Sequence, residues 1–233
     1  MVSIDTVYQR VLAIINKENR GYLTPQEFNL FANQAQNEVF DQYFFDLNQY
    51  KRLKDNSTEY ANLYKITNEK LSKFKKNGTL TYSIDHFNLP SDIHKLGTVI
   101  YNNTMPVDEV DTKTLLEYQL SKLTTPTTNN PVYIQNIANT QGDWSIKIYP
   151  TTINSSITAN YVRKPVEVNW SYTNVNGTAL YNAGNSQNFE LHETDETSLV
   201  LKILLYTGIS IKSAEIAQLA DNKETKKITQ EKS

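Results

Sequence analysis

The chain has 233 residues, a net charge of -2 and a pI near 6.0, so no overall field draws it to nucleic acid or to an anionic membrane. It contains no cysteine, which excludes disulfides, thiol nucleophiles and zinc-thiolate sites together and makes a cytosolic origin the expectation. The length suffices for one large domain or two modest ones, with a core that needs no staples.

The opening Met1-Val2-Ser3-Ile4-Asp5 has no basic segment followed by an apolar run, so no signal peptide is expected. Ile4, Val7, Tyr8, Val11, Leu12 and Ile15 predict a first amphipathic helix. Two readings then compete for Asn16 to Glu27. Counted back from Glu27, the segment fits a calcium loop with Asn16 first, Glu18 third and Gly21 sixth, but Arg20 would place a guanidinium where an oxygen ligand is required. The simpler reading makes Thr24 a helix cap, Pro25 the first helical residue and Glu27 the partner that closes a capping box. We adopt the cap. The helix that follows carries Phe28, Phe31, Ala32, Ala35, Val39, Tyr43, Leu47 and Tyr50 on one face, and Phe40 and Phe44 widen that face enough to suggest a second neighbour.

Tyr60, Leu63, Tyr64, Thr67, Leu71 and Phe74 predict a third helix, ended by Asn77-Gly78 and loaded near its end with Lys65, Lys70, Lys73, Lys75 and Lys76. Beyond Gly78 the chain turns to short β-prone runs: Thr79 to Ser83, Gly97 to Tyr101, Val132 to Ile137, Trp144 to Tyr149, Ile157 to Arg163 and Thr178 to Tyr181. Their spacing suggests antiparallel pairing. The alternation in Trp144 to Tyr149 predicts one buried face, Asn176-Gly177 predicts a tight hairpin turn, and Ser91 or Asp92 can cap a helical turn. Asp111 can cap a short helix through Leu115, Leu116, Leu120 and Leu123, followed by an exposed loop from Thr124 to Pro131. Asp195 caps a last helix in which Leu199, Val200, Leu201, Ile203, Leu204 and Leu205 point all round, so that it must be enclosed, with Gly208 a candidate break. The longest apolar cluster, Leu199 to Ile211, is too short to span a membrane. The tail from Asp221 to Ser233 is polar enough to stay unfolded until a partner orders it.

The expected fold is therefore α+β. A helical bundle covers 1–77, and a mainly antiparallel β region with a short helix near 112–123 covers 78–192. A C-terminal helix over 193–220 joins the bundle, and 221–233 is a polar tail.

No frame for catalysis is present: there is no Gly-x-Ser-x-Gly elbow, no phosphate-binding Gly-rich loop and no His-Glu-x-x-His helix. His86, His94 and His192 lack a third metal ligand nearby, so no metal and no cofactor are expected. The acidic clusters Asp108, Glu109, Asp111 and Glu190, Glu193, Asp195, Glu196 lie where helix starts account for them, although a hydrolase using such carboxylates remains an alternative. The expectation is a non-enzyme working by shape and contact. Candidate oligomer or partner contacts are Phe40, Phe44, Leu201 and Leu205, with Lys223, Lys226 and Lys227 in the tail.

Several segments carry a family likeness. They are Ile4-Asp5-Thr6-Val7-Tyr8, the run from Arg20 to Asn29 leading into Ala35-Gln36, Phe87-Asn88-Leu89-Pro90-Ser91-Asp92, Pro131-Val132-Tyr133, Ile146 to Pro150, Tyr161 to Pro165 and Phe189-Glu190-Leu191. In that order they resemble the head-to-tail connector proteins, the adaptors and rings, of short-tailed and particularly crAss-like bacteriophages. The resemblance implies a homo-oligomeric ring, twelvefold in that family, located in the neck of the virion after synthesis in the host cytoplasm. Such a ring joins the portal protein at the capsid vertex to the tail proteins and lets DNA pass through its lumen, with no membrane involved. The alternative is a carbohydrate-binding or tail-fibre-type adhesion module, suggested by the Asn, Thr and Tyr richness of residues 124 to 190.

Overall fold

The structure is a computed structural model that describes residues 1–17, 23–52, 58–137 and 144–210. Three helices come first, α1 (Ile4–Lys17), α2 (Pro25–Arg52) and α3 (Thr58–Ser72). Then follow β1 (Lys75–Thr79), β2 (Thr81–Ser83), β3 (His86–Asn88), β4 (Ile93–Tyr101), β5 (Met105–Glu109), α4 (Thr112–Leu120), β6 (Val132–Ile137), β7 (Trp144–Tyr149) and β8 (Ile157–Arg163). The hairpin strands β9 (Tyr172–Val175) and β10 (Thr178–Tyr181), two short 3-10 turns and α5 (Glu196–Ser210) complete the described chain. The fold is α+β, as the sequence predicts.

The chain divides into two compact units, Met1–Lys70 with Pro165–Ser233, and Leu71–Lys164. The expected boundaries at 77/78 and 192/193 are thus displaced. Residues 165–192, read as part of the β region, belong with the helices because α2 holds them through its side chains, as described below.

In the helical unit α5 packs against α1 and α2. Ile4, Val7, Val11 and Ile15 of α1, Phe28, Ala32, Ala35 and Phe40 of α2, and Leu199 and Ile203 of α5 are all buried. Helix α5 is buried along Leu199, Val200, Ile203 and Leu204, but Leu201 and Leu205 stay partly exposed, so the all-round enclosure expected of it is incomplete; the helix continues through Gly208 instead of breaking there. The start of α2 is the predicted capping box: Thr24 N–H donates to Glu27 Oε2 (2.9 Å) and Glu27 N–H donates to Thr24 Oγ1 (3.2 Å). The Thr24 N–H, and then the Thr24 hydroxyl donating to the same Glu27 Oε2 (2.7 Å), hold the Glu27 carboxyl below its usual range. Glu18 and Gly21, which fitted the calcium loop, and Arg20, which weighed against it, lie outside the described residues. Thr24→Ala is expected to lower stability by about 1 kcal/mol in denaturant titration, and an unchanged midpoint would remove the cap from the account.

The second unit is an eight-stranded sheet in the order β1-β8-β4-β5-β6-β7-β3-β2. Its two outermost strands are consecutive in sequence, separated by Leu80, whose N–H donates to Ile157 O (2.9 Å), so the sheet is nearly closed upon itself. Phe87, Val99, Ile146, Ile148, Ile157 and Ala159 fill its interior. All pairs are antiparallel except β5 with β6, which α4 connects by a crossover. Where the β4–β8 register slips between Leu96 and Val99, a Cβ at Gly97 would stand 2.7 Å from the Asn160 carbonyl oxygen, so only glycine admits that approach.

Three local expectations are corrected. Helix α3 ends at Ser72, and Lys75, Lys76 and Asn77-Gly78 form β1, because their backbone groups pair with β8; Lys76 answers Asp92 (3.1 Å), not a helix dipole. The stretch at Ser91-Asp92 is a turn into β4 and not a helical turn. In β7 the Ile146 and Ile148 face is buried as predicted, but Trp144, on the same face at the strand's end, is half exposed.

Candidate interaction surfaces

A strap of extended chain from Val166 to Trp170 runs along α2, held by amide side chains. Trp170 N–H donates to Asn29 Oδ1 (2.7 Å), while Asn29 Nδ2 donates to Trp170 O (3.3 Å). One helical turn on, Val168 N–H donates to Asn33 Oδ1 (2.8 Å) and Asn33 Nδ2 donates to Val168 O (2.9 Å). Gln36 Nε2 reaches Val166 O (2.8 Å), and Val166 N–H donates to Glu190 Oε2 (2.9 Å). Each carboxamide imitates a peptide group. Four helical residues advance about 6 Å and two strand residues about 6.6 Å, so Asn29 and Asn33 meet alternate strap residues in step. The next interval is three residues, and glutamine's extra methylene makes up the reach. The odd edge of the strap pairs with backbone: Gln187 N–H donates to Asn169 O (2.8 Å).

The strap ends in Trp170, whose indole N–H donates to Asp5 Oδ1 (3.0 Å) and whose ring packs with Tyr8 (4.2 Å between centroids). Tyr172 and Tyr181, opposite one another across β9 and β10, stack on the same ring at 5.9 and 5.7 Å. The hairpin beyond them closes at Asn176-Gly177 as predicted, with both residues at positive φ (52° and 82°).

The acidic residues are placed separately. Asp195 is 6% exposed; its Oδ2 accepts the Tyr43 hydroxyl (2.6 Å) and its Oδ1 faces Lys70 Nζ (2.8 Å). Its carboxylate thus joins α2 and α3, where the sequence assigned it to capping α5. Burial first, and then the Asp195 charge, push the Tyr43 phenol well above its usual range. Glu196 pairs with Arg10 (2.8 Å) and Glu190 with the strap. In the sheet unit, Tyr133 donates to Glu109 Oε2 (3.3 Å) across the parallel β5–β6 pair, and burial pushes its phenol up to about 12. Beside it, Glu109, Val110, Asp111, Thr114 and Tyr118 line an open cavity of about 390 Å³. Asp111 stands at the start of α4 with extended dihedrals but makes no side-chain cap bond.

His192 accepts Thr194 N–H at Nδ1 (3.3 Å) as the cap of a 3-10 turn, and His86 pairs with Asp85 (3.0 Å). Among the described residues no three His, Asp or Glu side chains are grouped to hold a metal, and no helix is long and apolar enough to cross a membrane.

Of the candidate contact residues, Phe40 is 2% exposed and packs edge-on against Phe44 (5.1 Å), so it presents no surface. Phe44, Leu201 and Leu205 are partly exposed, and Lys223, Lys226 and Lys227 lie outside the described residues. The exposed apolar surface is elsewhere. Leu116 and Leu120 of α4 are 59% and 87% exposed and Leu123, expected on the same helix but standing in the turn beyond its end at Leu120, is 97% exposed, while Leu115 alone of α4 is buried. Their spacing was the signal, read as a helix pattern without its direction.

Ile84 is a second exposed site, at 89%. Its φ is 56°, a conformation that strains a β-branched residue, and Asp85 N–H donates back to Ser83 O (2.6 Å) to close a three-residue turn around it. Asp85 is clamped by Lys147 (2.7 Å) and by His86, and those two partners hold its carboxyl below the usual range. The turn therefore presents one rigid aliphatic knob. No protein-family model matches this chain, and none of the curated proteins compared with it does.

Proposed function

We propose that this chain is a structural virion protein of a tailed bacteriophage, forming a ring that connects the portal at the capsid vertex to the tail and lets DNA pass through its lumen. The observation that carries this reading is the group of exposed leucines formed by Leu116 and Leu120 on α4 and Leu123 in the turn just beyond its end, offered to solvent beside a helix that only Leu115 anchors. Apolar groups grouped on a surface mark contact with another protein. The family likeness of the sequence adds the ring, its twelvefold order and its place in the neck. A net charge of -2 suits a passage through which DNA slides without being gripped.

Imaging of intact particles tests this directly, with density for the chain expected between portal and tail. In solution, mixing the purified chain with the portal protein should yield an assembly of high mass. Leu120→Asp combined with Leu123→Asp should abolish that assembly while shifting the monomer's stability by less than about 0.5 kcal/mol, since both side chains are solvated. Particles whose necks do not bind an antibody to the chain, together with a wild-type protein that stays monomeric beside its portal, would sink the proposal.

A further inference from the structure

We propose that the β9–β10 hairpin is a strand-donating arm that extends the open edge of β6 in a neighbouring copy of this chain. This rests on the ring reading and names one of its contacts.

The hairpin forms a two-stranded sheet of its own, and among the described residues no strand pairs with either outer edge. All of its strand residues except Ala179 are exposed. Two strands alone are marginal in water, so its rigidity comes from the base: the Trp170 ring under Tyr172 and Tyr181, and Asn182 N–H donating to Ser171 O (2.9 Å) to continue the ladder. The two-residue turn makes Val175 and Thr178 a mutually bonded pair, so the backbone groups of Tyr172, Asn174, Ala179 and Tyr181 point outward. Proteins ordinarily blunt such edges with charge, proline or a bulge. From Tyr172 to Tyr181 there is no charged residue, no proline and no register shift. An edge left so regular is suited to receive or donate a strand.

The recipient edge is on the same polypeptide. Strand β6 pairs with β7 along its length but meets β5 only at Val132 and Tyr133. Tyr133 O accepts Val110 N–H on the β5 side, so the alternate residues Gln135 and Ile137 direct their backbone groups to that same side, where no described strand follows. Val132–Ile137 is also free of charge, matching the arm. Arm and edge are different surfaces. A contact between them is head-to-tail, the kind from which a ring is built when its rotation closes.

The chain lacks cysteine, so introduced thiols report without background. Full-length Thr178→Cys and Gln135→Cys proteins, carrying different tags, would be mixed under assembly conditions and treated with a short bis-maleimide. The mixed dimer should dominate both self-linked products. Ala179→Pro removes an outward N–H without breaking a hairpin bond, and should lower assembly by at least about tenfold with the thermal midpoint retained. Linkage chiefly between two Thr178→Cys copies overturns the inference, as does a Thr178→Cys/Gln135→Cys double variant that links only within itself. Rings that form without the mixed link refute the arm and leave the ring reading standing, whereas protein that stays monomeric even beside the portal refutes both.

Discussion

Replacing Asp195 with alanine is expected to destabilise the helical unit by about 3 kcal/mol, measured by denaturant unfolding at neutral pH. The substitution leaves the Lys70 ammonium without its counter-charge and the Tyr43 hydroxyl without its acceptor, both in a site where water has little access. Removing one member of a buried ion pair ordinarily costs about 3–5 kcal/mol, and the lower figure applies because the Lys70 side chain keeps 20% exposure. Tyr43→Phe is milder, about 1 kcal/mol, since Asp195 retains Lys70. The same cluster sets an alkaline limit. Folding holds the Tyr43 phenol above its ordinary 10.0, so as pH rises the unfolded chain loses that proton first. The stability it contributes is intact below pH 10.0 and declines above it, and Tyr43→Phe should flatten that decline. Wild-type stability in Asp195→Ala would show the cluster to be incidental.

Asn33→Ala is the second large effect, expected at about 2–3 kcal/mol. It strips both Val168 N–H and Val168 O of their partners in a part-buried setting, and alanine offers nothing in return. Asn33→Asp separates the halves: a carboxylate still accepts from Val168 N–H but cannot donate to Val168 O, so an intermediate loss is expected. Hydrogen exchange gives the sharper reading. The amides of Val168 and Trp170 should lose protection in Asn33→Ala, with those of the sheet unit unchanged. Protection kept at both positions would mean that the backbone bonds to Gln187 alone secure the strap.

What was legible in the sequence followed the strength of the local signal. Val132–Ile137, Trp144–Tyr149, Ile157–Arg163 and Thr178–Tyr181 stand where β-branched and aromatic runs between turn residues put them. Strand β5 was missed because Pro106, Asp108 and Glu109 argue against a strand; its signal lay before it, in Asn102 and Asn103, which both adopt positive φ (51° and 58°) to turn β4 back on itself. Strand β9 was missed for a different reason: Tyr172, Thr173 and Val175 favour a strand, but it is only four residues long and interrupted by Asn174. The α2 ladder left no trace in hydrophobic periodicity, since Asn29, Asn33 and Gln36 lie beside the apolar face and read as solvated. Gln36 is in fact 1% exposed. Tertiary partners likewise decided Asp195: adjacency to a helix start suggested a cap, and only the fold brings Tyr43 and Lys70 to it. Among the contact candidates, Phe40 was misdirected because a wide apolar helix face does not reveal whether its second neighbour is internal.

Strands β1 and β8, the first and last strands of the sheet unit, are hydrogen-bonded neighbours, and Arg163 N–H donates to Phe74 O (2.9 Å) close to where the chain enters and leaves it. The sheet is therefore a cassette threaded into a host of helices through adjacent doorways. Evolution, or an engineer, can enlarge, exchange or excise it by cutting at two nearby points, without redrawing the path of the host.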